Sequence, residues 1–301
     1  MKKIACFCLL AATLAACTKS ERPTQTDTAL SDTRSANLQP ATTLAAAAKN
    51  TTVTTETALK NAVSSAAPGD VITISGTINL TSTLQLLVSG TSSAKISLTG
   101  GTLNCSGIAS GWGVKVNGSY WNITNITIKN GPDCGIVFQT GGYNYVYKIT
   151  TTGNHDSGLQ IYNGSHDNNV SYCTSNDNYD TQNGGENADG FACKLSAGKN
   201  NKFDHCTANH NSDDGWDLYG QPYTVTITNC TATNNGFGGS GDGNGFKLGS
   251  AGQNVAHTVT NCTASYNKAH GYDGNGNTGH ITTTGSGGTG NTLSPLFYRI
   301  Y

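Results

Sequence analysis

Apolar side chains in this chain come in very short alternating runs, each opening on a glycine and set off by polar residues. After Gly135, Gly158, Gly190, Gly215, Gly245 and Gly271 the next residue is Ile136, Leu159, Phe191, Trp216, Phe246 or Tyr272, followed by one outward position and then usually another inward one. That period of two marks a half-buried strand, and no helical spacing lies between the runs. Ahead of the runs stand variants of one hexapeptide, at 173–178, 206–211, 230–235 and 262–267, opening on Cys and closing on Asn; 149–154 fits the same frame with Ile first. Asn130 closes a similar run offset by one, so the closing Asn residues fall at 130, 154, 178, 211, 235 and 267, with spacings of 24, 24, 33, 24 and 32. A second strand leads into each Cys, as in 224–230.

A short repeat built only of strands satisfies its backbone by stacking on the next copy. The expected fold is therefore all-β: a right-handed parallel β-helix with coils of about 24 residues, each rising by about 4.8 Å. The closing Asn residues should stack as a ladder inside one turn, since Asn tolerates the left-handed conformation and its amide can bond the next copy. Leucine-rich repeats would need regularly spaced Leu, and propeller blades about twice the period. Apolar residues at helical spacing over 58–66, stopped by Pro68, predict a short N-terminal capping helix, and a strand follows at Val71–Ile74. No cap can be assigned to the Gly- and Thr-rich stretch 274–301.

Composition agrees with strands and turns: 38 Gly, one Met and only 12% charged residues. A net charge of −1 offers no basic surface for phosphates, so nucleic acid is excluded as a partner. Lys2 and Lys3 precede an apolar run over 4–16 that is too short to span a bilayer, and residues 1–17 read as a signal peptide. Leu14, Ala15, Ala16 and Cys17 resemble the lipobox at which bacterial lipoproteins are cleaved and acylated. An exported monomer is expected, touching a membrane only through a lipid on Cys17, or otherwise secreted. Residues 18–50 are too poor in aliphatic clusters to order themselves and read as a tether, which leaves 51–301 for the β-helix. Seven cysteines follow Cys17. The recurrence of Cys173, Cys206, Cys230 and Cys262 in one repeat position favours stacked buried thiols over disulfides.

Two coils are longer than the rest. From ladder Asn to strand Gly the gap is 4 residues after Asn154, Asn211 and Asn267, but 12 after Asn178 and 10 after Asn235. The insertions 179–188 and 236–243 leave the helix at one corner, one coil before and one after the turn at Asp213, and are expected to wall a cleft. Acids collect there. Aligned on the Gly of each strand, Asp189 and Asp214 share one column and Asp217 and Lys247 another, with Asp213 beside them. An Asp-Gly pair alone is ordinary turn chemistry. Four carboxylates on adjacent coils are different, because two charges about 5 Å apart repel by about 3 kcal/mol at an effective dielectric of 20. Asp189, Asp213, Asp214 and Asp217 therefore form a candidate metal site, and an all-oxygen donor set suits Ca²⁺ better than Zn²⁺. Lys247 would face that cation, whose charge lowers a lysine pKa, as a general base requires. Lys194, also predicted outward, is a second candidate for base or substrate-carboxylate binder.

The segments 187–194, 211–217 and 243–249 resemble the signature segments of family 9 polysaccharide lyases, pectate lyases with a right-handed β-helix. That resemblance implies calcium on Asp189, Asp213, Asp214 and Asp217, Lys247 as the base, and a pectate-like acidic polysaccharide cleaved by β-elimination. Arg22, Arg34 and Arg299 are the only arginines, none near the cleft, so substrate carboxylates would fall to Lys194, Lys199, Lys202 or calcium. This leaves open another uronate polymer such as rhamnogalacturonan. A glycosidase on the same scaffold would not account for the outward lysine, and a non-catalytic, calcium-stiffened glycan-binding or adhesin β-helix is the alternative from another class.

Overall fold

The computed structural model describes residues 47–301. The expected signal peptide 1–17 with Cys17, and the tether up to residue 46, lie outside the described residues. The first described strand is Asn50–Val53, and the Lys49 carbonyl accepts a hydrogen bond from the Val71 amide.

The chain coils into a parallel β-helix of three sheets. The first sheet has nine strands, from Asn50–Val53 to Thr258–Thr260; the second has nine, from Leu84–Leu86 to Phe297–Tyr298; the third has eight, from Thr77–Asn79 to Thr263–Ser265. Each strand pairs in parallel with its counterparts one coil earlier and later, so equivalent residues form straight columns. Ile72, Leu98, Ile123, Val146, Val170, Phe203, Ile227 and Val259 are one such inward column, and burial of each aliphatic side chain contributes on the order of 2 kcal/mol. Threonines on either side, as in Thr226–Thr228, face outward and supply strand propensity.

The core changes character along the helix. In the second sheet the inward column passes from Val114, Ile136 and Leu159 to Phe191, Trp216, Phe246, Tyr272 and Phe297. The five rings stack with centroids 4.8, 4.8, 5.0 and 4.7 Å apart, the coil rise itself. The third sheet compensates with small residues on the same coils, Ala208, Ala232 and Ala264, which keeps the interior filled without overlap.

The expected Asn ladder runs through Asn154, Asn178, Asn211, Asn235, Asn267 and also Asn291, each Nδ2 donating to the next Oδ1 at 2.7–2.9 Å. Asn130 is not in it. The offset of one turns Asn130 outward, where it donates to Asn104, and Gly131 meets the ladder through its amide, 2.9 Å from Asn154 Oδ1. A second ladder that the repeat pattern does not announce joins Asn144, Asn168 and Asn201 at another corner. All seven described cysteines are buried free thiols. Cys173, Cys206, Cys230 and Cys262 stack as expected, and burial pushes the first three thiols well above the ordinary range.

The capping helix is Glu56–Ser64, two residues ahead of its expected position, because Thr55 accepts the Ala58 amide and fixes the start. Leu59 and Val63 cover the open end of the core. At the other end Phe297–Tyr298 closes the second sheet, and Arg299 grips Asp273 at 2.6 and 2.9 Å. Among the described residues no helix is long and apolar enough to cross a membrane.

Candidate active site

The outer face of the second sheet carries Ala192, Asp217 and Lys247 in register on adjacent coils. The turn leading into those strands carries Asp189 and Asp214 before their glycines, with Asp213 alongside. The amide of each following coil pins the acid below it: Asp214 N donates to Asp189 Oδ1 at 3.3 Å, and Asn244 N to Asp214 Oδ1 at 2.6 Å. Both insertions fold over this turn. Asn187 N from the first donates to Asp213 Oδ2 at 3.1 Å, and Asp242 N from the second to Asp213 Oδ1 at 2.6 Å. Their outer sides meet through the stacked rings of Tyr179 and Phe237, 5.6 Å apart. Asp180 organises the first insertion by accepting from Gln182, Asn183 and Asn187. Lys268 holds the second through the carbonyls of Gly238 and Gly241.

The result is a pocket of about 350 Å³ whose lining includes Asp213, Asp217, Tyr219, Asp242, Lys194 and Lys247. Oxygens of Asp189, Asp213 and Asp214 lie within 4.8 Å of one another. Asp217 stands beside them but pairs with Lys194, whose Nζ lies 3.0 Å from Asp217 Oδ2 and 2.8 Å from Asp189 Oδ2. Lys194 is thus buried behind the acids rather than free in the cleft. Lys247 Nζ lies 2.7 Å from Asp242 Oδ2 and 3.5 Å from Asp214 Oδ2. The sequence pattern does not single out Asp242 or Tyr219; Asp242 rides in the second insertion, where only the fold brings it to Lys247.

Lys199 and Lys202 lie outside this pocket and line other surface depressions. After Lys194 the chain turns the corner onto the first sheet, which carries both away from the acids.

Burial pushes Asp189 and Asp214 well above the ordinary carboxylate range and raises Asp213 as well. Asp217 feels the same burial, but Lys194 and Lys247 outweigh it and hold the carboxyl below its usual value. Burial would lower both lysines, and the surrounding aspartates overcome it, so both ammoniums are held above their ordinary range. The amine of Lys247 is therefore protonated in the cation-free protein, the reverse of what a base needs.

The donor set fits a hard dication. With all of them ionised, four buried carboxylates and the exposed Asp242 would face the ammoniums of Lys194 and Lys247, an excess of three negative charges. Asp214 Oδ2 is buried and accepts no hydrogen bond among the described residues. An orphaned carboxylate oxygen beside two others is an oxygen-rich, flexible site of the kind Ca²⁺ takes.

Fold and site together define a parallel β-helix protein with an acid-walled cleft and a lysine on one sheet. Residues 40–298 match the family described as Pel9A-like, right handed beta helix region, and the chain belongs to that family. It is 39% identical over 192 residues to pectate lyase L of Paenibacillus polymyxa (strain SC2), covering 57% of this chain but only 42% of that relative. The crystal structure of pectate lyase Pel9A superposes with a TM-score of 0.74 at 25% identity, over 82% of this chain and 78% of that one. A rhamnogalacturonan lyase shares the fold, with a TM-score of 0.63 at 23% identity over 72% of this chain and 65% of that one.

Proposed function

We propose that the protein is a calcium-dependent lyase that cleaves a pectate-like polysaccharide by β-elimination. The observation that carries this reading is the placement of Lys247, in register with Asp217 and facing the orphaned oxygen of Asp214 at the mouth of the pocket. Similarity to proteins named pectate lyase supports it. Asp189, Asp213 and Asp214 would hold the ion, with Asp217 as the fourth acid. Once bound, calcium would supply Lewis acidity to a uronate carboxylate and would neutralise the aspartates that keep Lys247 protonated. Lys247 Nζ then removes the proton from carbon 5 of the uronate. The released pair forms the double bond between carbons 4 and 5 as the bond from carbon 4 to the glycosidic oxygen breaks; that oxygen takes a proton from solvent and leaves as a hydroxyl, and the cleaved chain keeps an unsaturated end. Lys194 acts as a positioning residue, since both its bonds go to acids of the ion site. Export and anchoring through Cys17 belong to the same proposal and place the enzyme where polymer is met.

The test is a panel of polygalacturonate, rhamnogalacturonan and neutral pectic polymers, with and without chelator, followed by the ultraviolet absorbance of the unsaturated product. Lys247→Ala should lower the rate by about a thousandfold or more while calcium binding persists. Calcium-dependent polymer binding without cleavage by the wild type would instead establish a glycan-binding β-helix, and rhamnogalacturonan as the sole cleaved polymer would reassign the substrate.

A further inference from the structure

Lys202 lies away from the cleft, in a trough on the outer face of the first sheet. Tyr145, Asn169 and Lys202 form its floor as successive partners one coil apart. The rings of Tyr120 and Tyr143 form one wall, stacked 4.9 Å apart and 6° from parallel. Lys95 stands at one end, 6.0 Å from the centre of the Tyr145 ring. Two adjoining cavities of about 280 and 290 Å³ fill the trough and share Tyr143, Asp167 and Asn169. Asp167 lines both cavities, with its carboxylate turned to the Asn200 amide at 2.9 Å and to His166 at 2.7 Å, while Lys95 and Lys202 make no ion pair among the described residues. Tyr143 is 43% exposed, and it and Tyr120 hold positive φ values of 59° and 61°, a conformation that costs energy for a bulky side chain. Exposed rings beside unpaired cations are the reverse of the acid-walled cleft.

We propose that this trough is a second binding site, for the uncleaved part of an acidic sugar polymer; only the polymer's class rests on the function proposed above. A pyranose ring packs its apolar face on Tyr145 and against the exposed edge of Tyr143, whose faces are taken by Tyr120 and His166. Lys95 and Lys202 meet uronate carboxylates, and the Asn169 amide meets hydroxyls. Coils rise by about 4.8 Å, comparable to the length of one sugar unit, so a chain lying along the helix axis meets a new rung at each unit.

The experiment is affinity electrophoresis of the full chain through gels carrying polygalacturonate, in chelator so that no cation loads the cleft. The wild type should be retained, and Lys95→Ala combined with Tyr143→Ala should weaken retention by about fivefold or more. The rate on short uronate oligomers in calcium should stay at the wild-type value, since both positions are off the cleft, and the thermal midpoint should fall by no more than the loss of an exposed aromatic pair, about 1 kcal/mol, implies. Unchanged retention in the double variant, no retention of the wild type, or equal retention by a neutral galactan would each overturn the proposal. If the wild type is retained through these residues yet cleaves no uronate polymer in calcium, the trough stands and the lyase reading falls. Cleavage by the wild type together with unaltered retention in the variant does the reverse: the lyase stands and the trough falls.

Discussion

Asp133, Cys134 and Asp156 on the early coils, and Asp189, Asp213 and Asp214 on the later ones, occupy equivalent turns before strands of the second sheet. Both sets bring three ligand-type atoms within 4.8 Å of one another. In the early set Asp133 and Asp156 are only partly buried, and each accepts from the amide of the next residue, at 2.6 and 2.5 Å. Burial pushes the Cys134 thiol well up, so it keeps its proton and is a poor ligand at neutral pH. In the later set all three acids are buried, one oxygen is orphaned, and two insertions roof the turn. Lys194 feels acids of both clusters but bonds only to Asp189 and Asp217. The difference teaches that closeness of acids does not make an ion site. What makes one is acidic oxygen that the fold buries and leaves short of hydrogen-bond donors.

Asp214→Asn set against Asp156→Asn is the strongest way to break that contrast. Asn at 214 keeps an oxygen for the Asn244 amide but removes the charge from the oxygen that accepts no hydrogen bond, and calcium affinity should fall by about a hundredfold, with activity following. Asp156→Asn should leave both unchanged. Equal losses, read by isothermal titration, would mean that an ion serves both clusters. The same pair sharpens a second measurement. At a hundred times its dissociation constant, calcium should add about 2.7 kcal/mol to unfolding stability in the wild type and in Asp156→Asn, and little in Asp214→Asn. A urea titration with and without chelator reads this directly.

Lys194→Gln is expected to weaken calcium by about tenfold. Without the ammonium, Asp217 Oδ2 loses its ion pair and Asp189 Oδ2 keeps only the Ser157 hydroxyl. Those carboxyls then take up protons that the ion must displace. A tighter rather than weaker complex would identify Lys194 as a competitor of calcium, and its place behind the acids would need another explanation.

The solenoid is legible in sequence because its two markers, strand Gly and ladder Asn, repeat with a fixed register. Asn130 shows the limit: it fits the spacing but not the phase, and a shift of one residue reverses the face in a strand. The columns of Asp189 with Asp214 and of Asp217 with Lys247 follow from the same register, so most of the acid cluster can be read. Lys194 reads as outward, which is true of its backbone position, but its long stem curls back onto Asp189 and Asp217. Asp242 and Tyr219 escape a reading of the repeat because they reach the pocket from an insertion and from a corner, where no repeat fixes direction. Lys199 and Lys202 are close to the cleft in sequence alone, a nearness that a solenoid corner does not respect.

The smallest of the expected effects is a slope with pH. Burial raises Asp189 and Asp214 far above 3.8, so the cation-free folded chain keeps protons that the unfolded chain has released. Where the folded state binds more protons, stability falls as pH rises, from about 4 upward through the raised value. The buried His257 acts in the opposite sense: burial holds it down to about 4, so its contribution is complete above about 6.5 and is lost on acidification. It cancels in the difference between wild type and Asp214→Asn. In chelator, the thermal midpoint of the wild type relative to Asp214→Asn should therefore decline between about pH 5 and 8, by about 2–4 °C for each kcal/mol involved. The wild type relative to Asp156→Asn should show a smaller decline of the same sign, since burial raises Asp156 as well but buries it less completely than Asp214. Saturating calcium should flatten the first decline, because the ion keeps its ligands ionised in the folded state. A relative midpoint that rises with pH in chelator would mean that the ammoniums already neutralise Asp214, and the distinction between the two clusters would be lost.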